Sequence, residues 1–415
     1  MFGHAESRLF SGLARAFFAI SVSLALASCG GGGTEPEPKD PPEITIEGVS
    51  NGDVLEGPVT IHLTITSGAT YQATLNGQPF FSGATVSQAG SYTLEVLARK
   101  DGLTSTVTVG FEIRPVGGNV LIMRFFNLGK NEAGGGGDAI LLTDSSSLGQ
   151  FHALIDAGPA GEGGSDTDYV LERLRAFQVD TLQAMVLSHA HSDHFSGMRD
   201  ILNQLHVRDF YYNGQIRGFF SYQQTISVAG TRAENRITVA QEETISLGAS
   251  GATNLRIIPP LADYLGDADA NSSELNDGSL GTLVTRGDFS MFFTGDGEVE
   301  ANTRWRETYG DLTANVDVLK VGHHGANDAV FDNGSFGRSR WLEHTNPEVH
   351  IISGNGTTHP RVRSLQYLLG RAGTVTYCTN VHGDIELRVA EDGAFMVTVE
   401  QNASQTCEPG ADATT

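Results

Sequence analysis

The stretch Leu187-Ser188-His189-Ala190-His191-Ser192-Asp193-His194-Phe195-Ser196-Gly197 constrains this chain more than any other part of it. It sets three histidines and an aspartate within six residues, directly after the apolar run Ala184-Met185-Val186-Leu187. Such a run reads as a buried strand, so the polar cluster occupies the loop leaving its C-terminal end. In open α/β architectures that end is where ligands bind. Neutral imidazoles and a carboxylate at this density suit Zn, Fe or Mn better than Ca or Mg. His189 and His191 can face one cation while Asp193 and His194 turn toward a second. Chance is a poor alternative, because the whole chain holds only 13 histidines in 415 residues.

Three later strand ends carry the same kind of residue. Met291-Phe292-Phe293-Thr294-Gly295-Asp296-Gly297-Glu298 ends a strand in a glycine-flanked aspartate, and one carboxylate can bridge two cations. Val318-Leu319-Lys320-Val321-Gly322-His323-His324-Gly325 repeats the layout with imidazoles. Ile351-Ile352-Ser353-Gly354-Asn355-Gly356-Thr357-Thr358-His359-Pro360 is the fourth. Each of these three is weak alone; together with the first they predict one site at one sheet edge. Strands are expected at Val120 to Phe126, Asp138 to Leu142 and His152 to Gly158. The helical spacing of Val170, Leu171, Leu174 and Phe177 adds a helix, and the alternation gives a layered α/β domain over 119–400.

The pattern His189-x-His191-x-Asp193-His194, the Thr294-Gly295-Asp296 turn and the His-His-Gly turn resemble the metallo-β-lactamase superfamily. Asn276 to Leu280, Asn355 with His359-Pro360, and Tyr377 to Ile385 are similar to its ComEC/Rec2-like subgroup. The resemblance implies an αβ/βα sandwich with two divalent metal ions at one edge, zinc foremost, with manganese or iron as alternatives. It implies that His189 and His191 hold the first ion, that Asp193, His194 and one of His323 and His324 hold the second, with His324 the choice made here, and that Asp296 bridges them. His323 is then the neighbour of a ligand. The family's fuller pattern has one more histidine before the bridging aspartate. The candidate here, His206, falls near the end of an expected helix and reads as structural, which leaves the first ion with room for water or substrate. The competence proteins of this subgroup are membrane-channel fusions, and this chain has no block of 18 apolar residues, so their import role does not carry over.

Two metals about 4 Å apart bring a shared water near neutrality and present hydroxide in line with a bound ester. The catalytic candidates are Asp193, which can orient that hydroxide, and His323 and His359, which can supply a proton or a hydrogen bond to developing charge. Arg361 and Arg363 are candidate phosphate contacts, since guanidinium pairs bidentately with phosphate; a solvated helix face is their ordinary alternative. Asn355 completes the candidate substrate-binding set, with a turn-stabilising role as its alternative. Neither remaining cysteine has a nucleophile's context, and Gly134 to Gly137 lacks the Lys-Ser/Thr of a phosphate-binding loop.

The N-terminal part reads as an address. Arg8 and Arg15 precede the apolar run Ala16 to Ala27, which is too short to span a bilayer but suits a signal segment. Its ending, Leu26-Ala27-Ser28-Cys29, resembles a bacterial lipobox, which implies removal of residues 1–28, diacylation of Cys29 and a place in the bacterial cell envelope on the outer membrane or its exposed faces. A two-chain anchor holds stably to a membrane. Residues 29–42 form a Gly-then-Pro tether. In an exported protein Cys378 and Cys407 can pair or remain separate thiols.

Residues 43–115 are expected to be all β. Val59, Ile61, Leu63 and Ile65 alternate with polar residues, as do Tyr92, Leu94, Val96 and Ala98, and Asn76-Gly77 is a hairpin signal. The stretch resembles bacterial immunoglobulin-like sandwiches; as a spacer or as a contact domain, its partner is unknown. Residues 401–415 are expected to be a tail.

With 49 acidic against 26 basic residues the formal charge is −23, which repels nucleic acid globally. Bound cations reverse the local field, so a phosphodiester held by metals stays possible. The leading expectation is an exported hydrolase of phosphodiesters, in nucleic acid or an envelope polymer. The alternatives are hydrolysis of an ester, lactone or β-lactam on the same scaffold, or a non-catalytic surface binding protein.

Overall fold

The computed structural model describes residues 40–56, 58–87, 90–114, 119–128, 136–159, 166–248, 250–260 and 265–413. The signal segment, Cys29 and most of the tether lie outside these residues, as do Gly134 and Gly135. No described helix is long and apolar enough to cross a membrane.

The described residues between 44 and 114 form strands joined by turns, without a helix: β1 (Ile44–Glu47), β2 (Val54–Glu56), β3 (Val59–Ile65), β4 (Thr70–Leu75), β5 (Gln78–Pro79), β6 (Ala84–Val86), β7 (Gly90–Lys100) and β8 (Leu103–Arg114). They form two sheets, ordered β1-β3-β6 and β2-β8-β7-β4-β5. Strict alternation makes this possible: Ile61, Leu94, Val96, Val109 and Phe111 all point into one shared core. Asn76 and Gly77 join β4 to β5 with φ of 48° and 80°, the left-handed pair a type I′ turn needs.

The first sheet of the larger domain begins with β9 (Val120–Phe125), β10 (Ile140–Ser146) and β11 (Gly149–Ile155). α1 (Asp166–Ala176), β12 (Thr181–Leu187), α2 (Ser192–Phe195), α3 (Met198–Gln204), β13 (His206–Tyr212), α4 (Phe220–Arg232) and β14 (Ala233–Thr238) follow. The second sheet takes β15 (Glu243–Leu247), β16 (Thr253–Ile258), α5 (Ser272–Asp277), β17 (Gly281–Arg286), β18 (Phe289–Phe293), α6 (Val299–Thr308) and α7 (Gly310–Thr313). It continues through β19 (Val318–Lys320), α8 (Asn327–Val330), α9 (Arg340–Thr345), β20 (Val349–Ile352), α10 (Val362–Leu369), β21 (Val375–Cys378) and α11 (Thr379–His382). The chain then returns to the first sheet with β22 (Ile385–Val389) and β23 (Phe395–Val399). The orders are β14-β13-β12-β11-β10-β9-β22-β23 and β15-β16-β17-β18-β19-β20-β21.

The two sheets face each other across one core. Ala184 and Val186 of β12 and Met291 and Phe293 of β18 point into it. Their neighbours point outward, Met185 and Leu187 under the first sheet's helices and Phe292 under Trp305 and Trp341. Helices therefore cover both outer faces, and the layers run helix, sheet, sheet, helix. Strands β11 to β14 are parallel, as are β18 to β21. Every loop leaving a C-terminal end in these runs therefore emerges at the same rim.

Two sets of contacts tie these segments together. The small module is not a free spacer: Met396 of β23 is part of its core, and Val397 donates its N–H to Ser87 O at 2.8 Å. An edge strand of the first sheet is thereby covered. Residues 400–413 are no loose tail either, since Cys407 is buried and disulfide-bonded to Cys378.

Candidate metal centre

Four loops at the common rim bring the sequence-singled residues together. His189 and His191 follow β12, and Asp193 and His194 open α2. Asp296 follows β18, and His323 and His324 follow β19 in a turn where both take positive φ. His359 arrives from the loop after β20, its ring centroid 5.4 Å from His323 and 6.2 Å from His324. The side-chain donors sort into two sets, His189 with His191 and Asp296, and Asp193 with His194, Asp296 and His324. Asp296 belongs to both.

The spacings fit divalent cations. In a tetrahedron an edge is about 1.6 times the metal–ligand bond, so bonds of about 2.0–2.2 Å put donor atoms about 3.3–3.6 Å apart. Oδ2 of Asp296 lies 3.2 Å from His194 Nε2, 3.3 Å from His324 Nε2 and 3.8 Å from His189 Nε2. Asp193 Oδ2 is 3.4 Å from His324 Nε2 and 3.8 Å from His194 Nε2. His189 Nε2 and His191 Nδ1 are 3.0 Å apart. His194 Nε2, His324 Nε2 and Asp296 Oδ1 are buried polar atoms with no hydrogen-bond partner, a state that costs free energy unless something else satisfies them.

The other ring nitrogens explain which atoms face inward. His194 Nδ1 donates to Asp156 Oδ2 at 2.8 Å, and His324 Nδ1 donates to Ser353 O at 3.0 Å. Ser188 Oγ donates to Asp156 Oδ2 at 2.7 Å and accepts from His189 Nδ1 at 3.0 Å. Each Nδ1 is thus engaged outward and each Nε2 points inward, as in metal-binding histidines. His191 is reversed, with Nε2 3.3 Å from Ser272 Oγ and Nδ1 toward His189. The first set has three protein donors and the second four, so the first is the one with open positions.

Charge follows the same logic. Burial opposes ionisation of His194, but the Asp296, Asp156 and Asp193 carboxylates outweigh it and hold its pKa well above the ordinary value. Burial works against Asp296 as well, yet His194 and His324 keep it well below the usual carboxylate range. Burial and the His194 charge keep His189 neutral, the form that ligates. Lys320, fully buried, donates to Asp138 Oδ2 at 2.7 Å and neutralises a further carboxylate behind His324.

His323 does not join either set. Its Nδ1 lies 3.1 Å from Glu298 Oε1 and 3.2 Å from Asp328 Oδ1. Burial disfavours its charge, but these two carboxylates raise its pKa to about 10, so it stands as an imidazolium beside the donors. His359 is the opposite: burial and the adjacent His324 and His323 push it down to about 3.

Asn355 organises the loop that carries His359. Asn355 Oδ1 accepts from the N–H groups of Thr357, Thr358 and His359 at 3.0, 2.9 and 2.9 Å. Its Nδ2 donates to Thr358 Oγ1 at 3.0 Å, and that hydroxyl is hydrogen-bonded to His359 Nδ1 at 3.0 Å. His359 Nδ1 is thereby engaged with the loop's own residues.

The three expected substrate contacts stand in different surroundings. Asn355 commits Oδ1 and one Nδ2 hydrogen to the loop, which is the turn-stabilising role. Arg363 is exposed with its guanidinium over the Phe336 ring at 5.8 Å, and nothing links it to the cluster among the described residues. Arg361 is half-buried, and its charge helps to depress His359. His206 opens β13, exposed, with Nε2 2.9 Å from Glu234 Oε1, and is remote from both sets in role. Sequence reasoning missed Asp138, Asp156, Ser188 and Ser272. Asp156 was findable, because Ile155-Asp156-Ala157-Gly158 repeats the strand, carboxylate and glycine layout of Asp296.

Residues 134–221 match the family model described as the metallo-beta-lactamase superfamily. No curated protein matches the chain. Among solved structures, a mutant of the CmlA beta-hydroxylase is similar at 13% identity and a TM-score of 0.39, over 66% of this chain. The match spans 55% of the hydroxylase's own length. A diphosphatase from the PhnP family is similar at 10% identity and a TM-score of 0.34, over 66% of this chain and 97% of that one. Zn(2+)-bound PqqB from Methylobacterium extorquens is similar at 15% identity and a TM-score of 0.31, over 52% of this chain and 79% of that one. The segment that matches the metallo-beta-lactamase superfamily model runs from before β10 into α4 and holds the entire His189–His194 loop.

Proposed function

We propose that this protein is an exported, metal-dependent hydrolase of phosphodiesters, with His189, His191 and Asp296 around one divalent cation and Asp193, His194, Asp296 and His324 around a second. The observation that carries this reading is the unequal pair of donor sets sharing Asp296. Structural metal sites are closed by four protein donors, whereas sites that react keep a position open. Two bound ions supply Lewis acidity and a lowered pKa for water.

The chain's own residues divide the remaining work. His323, paired through Nδ1 with Glu298 and Asp328, presents its remaining ring N–H beside the centre. Neutral His359 can offer a ring N–H to the oxygen on which charge develops, from a loop that the Asn355 and Thr358 contacts hold in place. Arg361 adds charge on the His359 side. The charge of Arg361 favours a phosphodiester over a neutral lactam or ester.

The Cys378–Cys407 bond supports the export reading, because such bonds persist in oxidising compartments. The lipobox-like ending at Cys29 supports a membrane anchor, and the two-sheet module resembles an immunoglobulin-like domain.

The test is metal content of the purified chain together with turnover of bis(p-nitrophenyl) phosphate and a chromogenic cephalosporin, with His191→Ala as control. About two metals per chain and diester cleavage lost in the variant is the expected result. Turnover of the cephalosporin alone would replace the phosphodiester reading with the lactam one. No retained metal and no turnover would leave a surface binding protein.

A further inference from the structure

The chain beyond β23 wraps around α11 and then reaches the candidate centre. Gln401 N donates to His382 O at 3.0 Å, and Asn402 Nδ2 donates to Val381 O at 2.9 Å. Cys407 is bonded to Cys378, the last residue of β21, and Asn380 Nδ2 donates to Glu408 O at 3.1 Å. The next residues meet the loop that carries His359. Gly410 N donates to Pro360 O at 3.0 Å, Ala411 N to Gly356 O at 2.8 Å, and Asp412 N to Thr357 O at 2.7 Å.

That loop belongs to no strand or helix, so its backbone groups need partners from elsewhere. Asn355 takes the N–H groups of residues 357–359 from within, as described above. The C-terminal segment takes the carbonyls of 356, 357 and 360 from outside. Thr379 Oγ1 adds a bond to Gly354 O at 3.2 Å. The fit leaves no room: a Cβ on Gly410 would lie 2.5 Å from Thr357 O and 2.8 Å from His359 N.

We propose that residues 407–412, anchored by the Cys378–Cys407 bond, are a positioning element of the centre that clamps loop 354–360 and holds His359 against the His323/His324 turn. The clamp itself stands on these contacts; its catalytic consequence rests on the hydrolase reading above. Gly410 lies three residues past the anchored Cys407, so slack at the disulfide passes directly to the loop.

The experiment compares the full chain with three variants: Gly410→Val, the pair Cys378→Ser with Cys407→Ser, and a chain ended after Pro409. Amide hydrogen exchange of peptides covering 354–361 is read beside metal content and steady-state kinetics on methyl p-nitrophenyl phosphate and methyl phenyl phosphate. We expect exchange in 354–361 to quicken about tenfold. We expect kcat to fall on the order of tenfold with metal content and KM little changed, and to fall further for the poorer phenyl leaving group. A general loss of structure would lower both substrates alike. Should the cysteine variant fail to fold, Gly410→Val keeps the bond and carries the same readouts. Unchanged exchange in 354–361, or faster exchange with kcat and leaving-group dependence intact, overturns the clamp. If the unaltered chain cleaves no diester, the hydrolase reading fails separately, and the exchange comparison alone decides whether the clamp exists.

Discussion

Asp156 Oδ2 sits 2.8 Å from His194 Nδ1 and 2.7 Å from Ser188 Oγ, so one buried carboxylate orients donors of both sets. Asp156 itself adopts φ of 56°, a left-handed conformation that asparagine tolerates well. Asp156→Asn should therefore keep the backbone while weakening the hold on His194 and, through Ser188, His189. Metal affinity is expected to fall about 10–100-fold, the usual cost of losing an outer partner. Competition against a chromophoric chelator measures this, and an unchanged affinity would remove Asp156 from the account.

Gly137 has φ of 154°, and a Cβ there would stand 2.1 Å from the carbonyl oxygen of Asp193. Gly137→Ala must then displace the loop that carries Asp193 and His194. A loss of about 1–3 kcal/mol in urea unfolding is expected, together with substoichiometric metal. Full metal content at unaltered stability would show that the loop yields without cost.

His350 on β20 is fully buried with Nδ1 3.4 Å from Thr376 Oγ1, and burial, then the Arg371 charge, draws its pKa down to about 3. The unfolded chain, with the ordinary value of about 6.5, takes up a proton that the folded chain refuses. This contribution is therefore intact above pH 6.5 and is lost as pH falls from there toward 3. By pH 5 the loss amounts to about 2 kcal/mol relative to pH 7. Urea midpoints at both pH values should fall more steeply for the unaltered chain than for His350→Gln. Equal slopes would mean that His350 takes no part in the acid lability.

Met396 of β23 is fully buried in the core of the small module, although it belongs to the larger domain. Met396→Ala should cost about 2–5 kcal/mol, as buried methionine truncations do. Module and domain should also unfold at the same denaturant concentration, as judged by Trp305 and Trp341 fluorescence beside exchange in β7. Separate transitions would restore the picture of an independent spacer.

Much of the architecture could be read from the chain, because the signals were local. The alternation of Ile61, Leu63 and Ile65, the buried run Ala184 to Leu187, and the glycine-flanked Asp296 each state their own geometry. All the inner donors could be named for the same reason: they lie within short motifs at strand ends. What could not be read depends on pairings between distant segments. Asp156 meets His194 across 38 residues and Lys320 meets Asp138 across 182. Ala411 meets Gly356, and Met396 enters a module that ends near residue 114. Arg363 shows the converse failure, since its neighbourhood to His359 in sequence does not fix where its side chain goes.

The donors from the first sheet's loop and Asp296 from the second meet at the rim where the two sheets face each other. His194 Nε2 and Asp296 Oδ2, 3.2 Å apart, close that gap between the halves of the sandwich. A cation held there would act as a rivet between the two leaves, beside the buried Arg286–Asp144 and Lys320–Asp138 pairs that also join them. Loss of the rivet would loosen the seam as well as the chemistry, so folding and reactivity in this protein share one set of atoms and would be selected together.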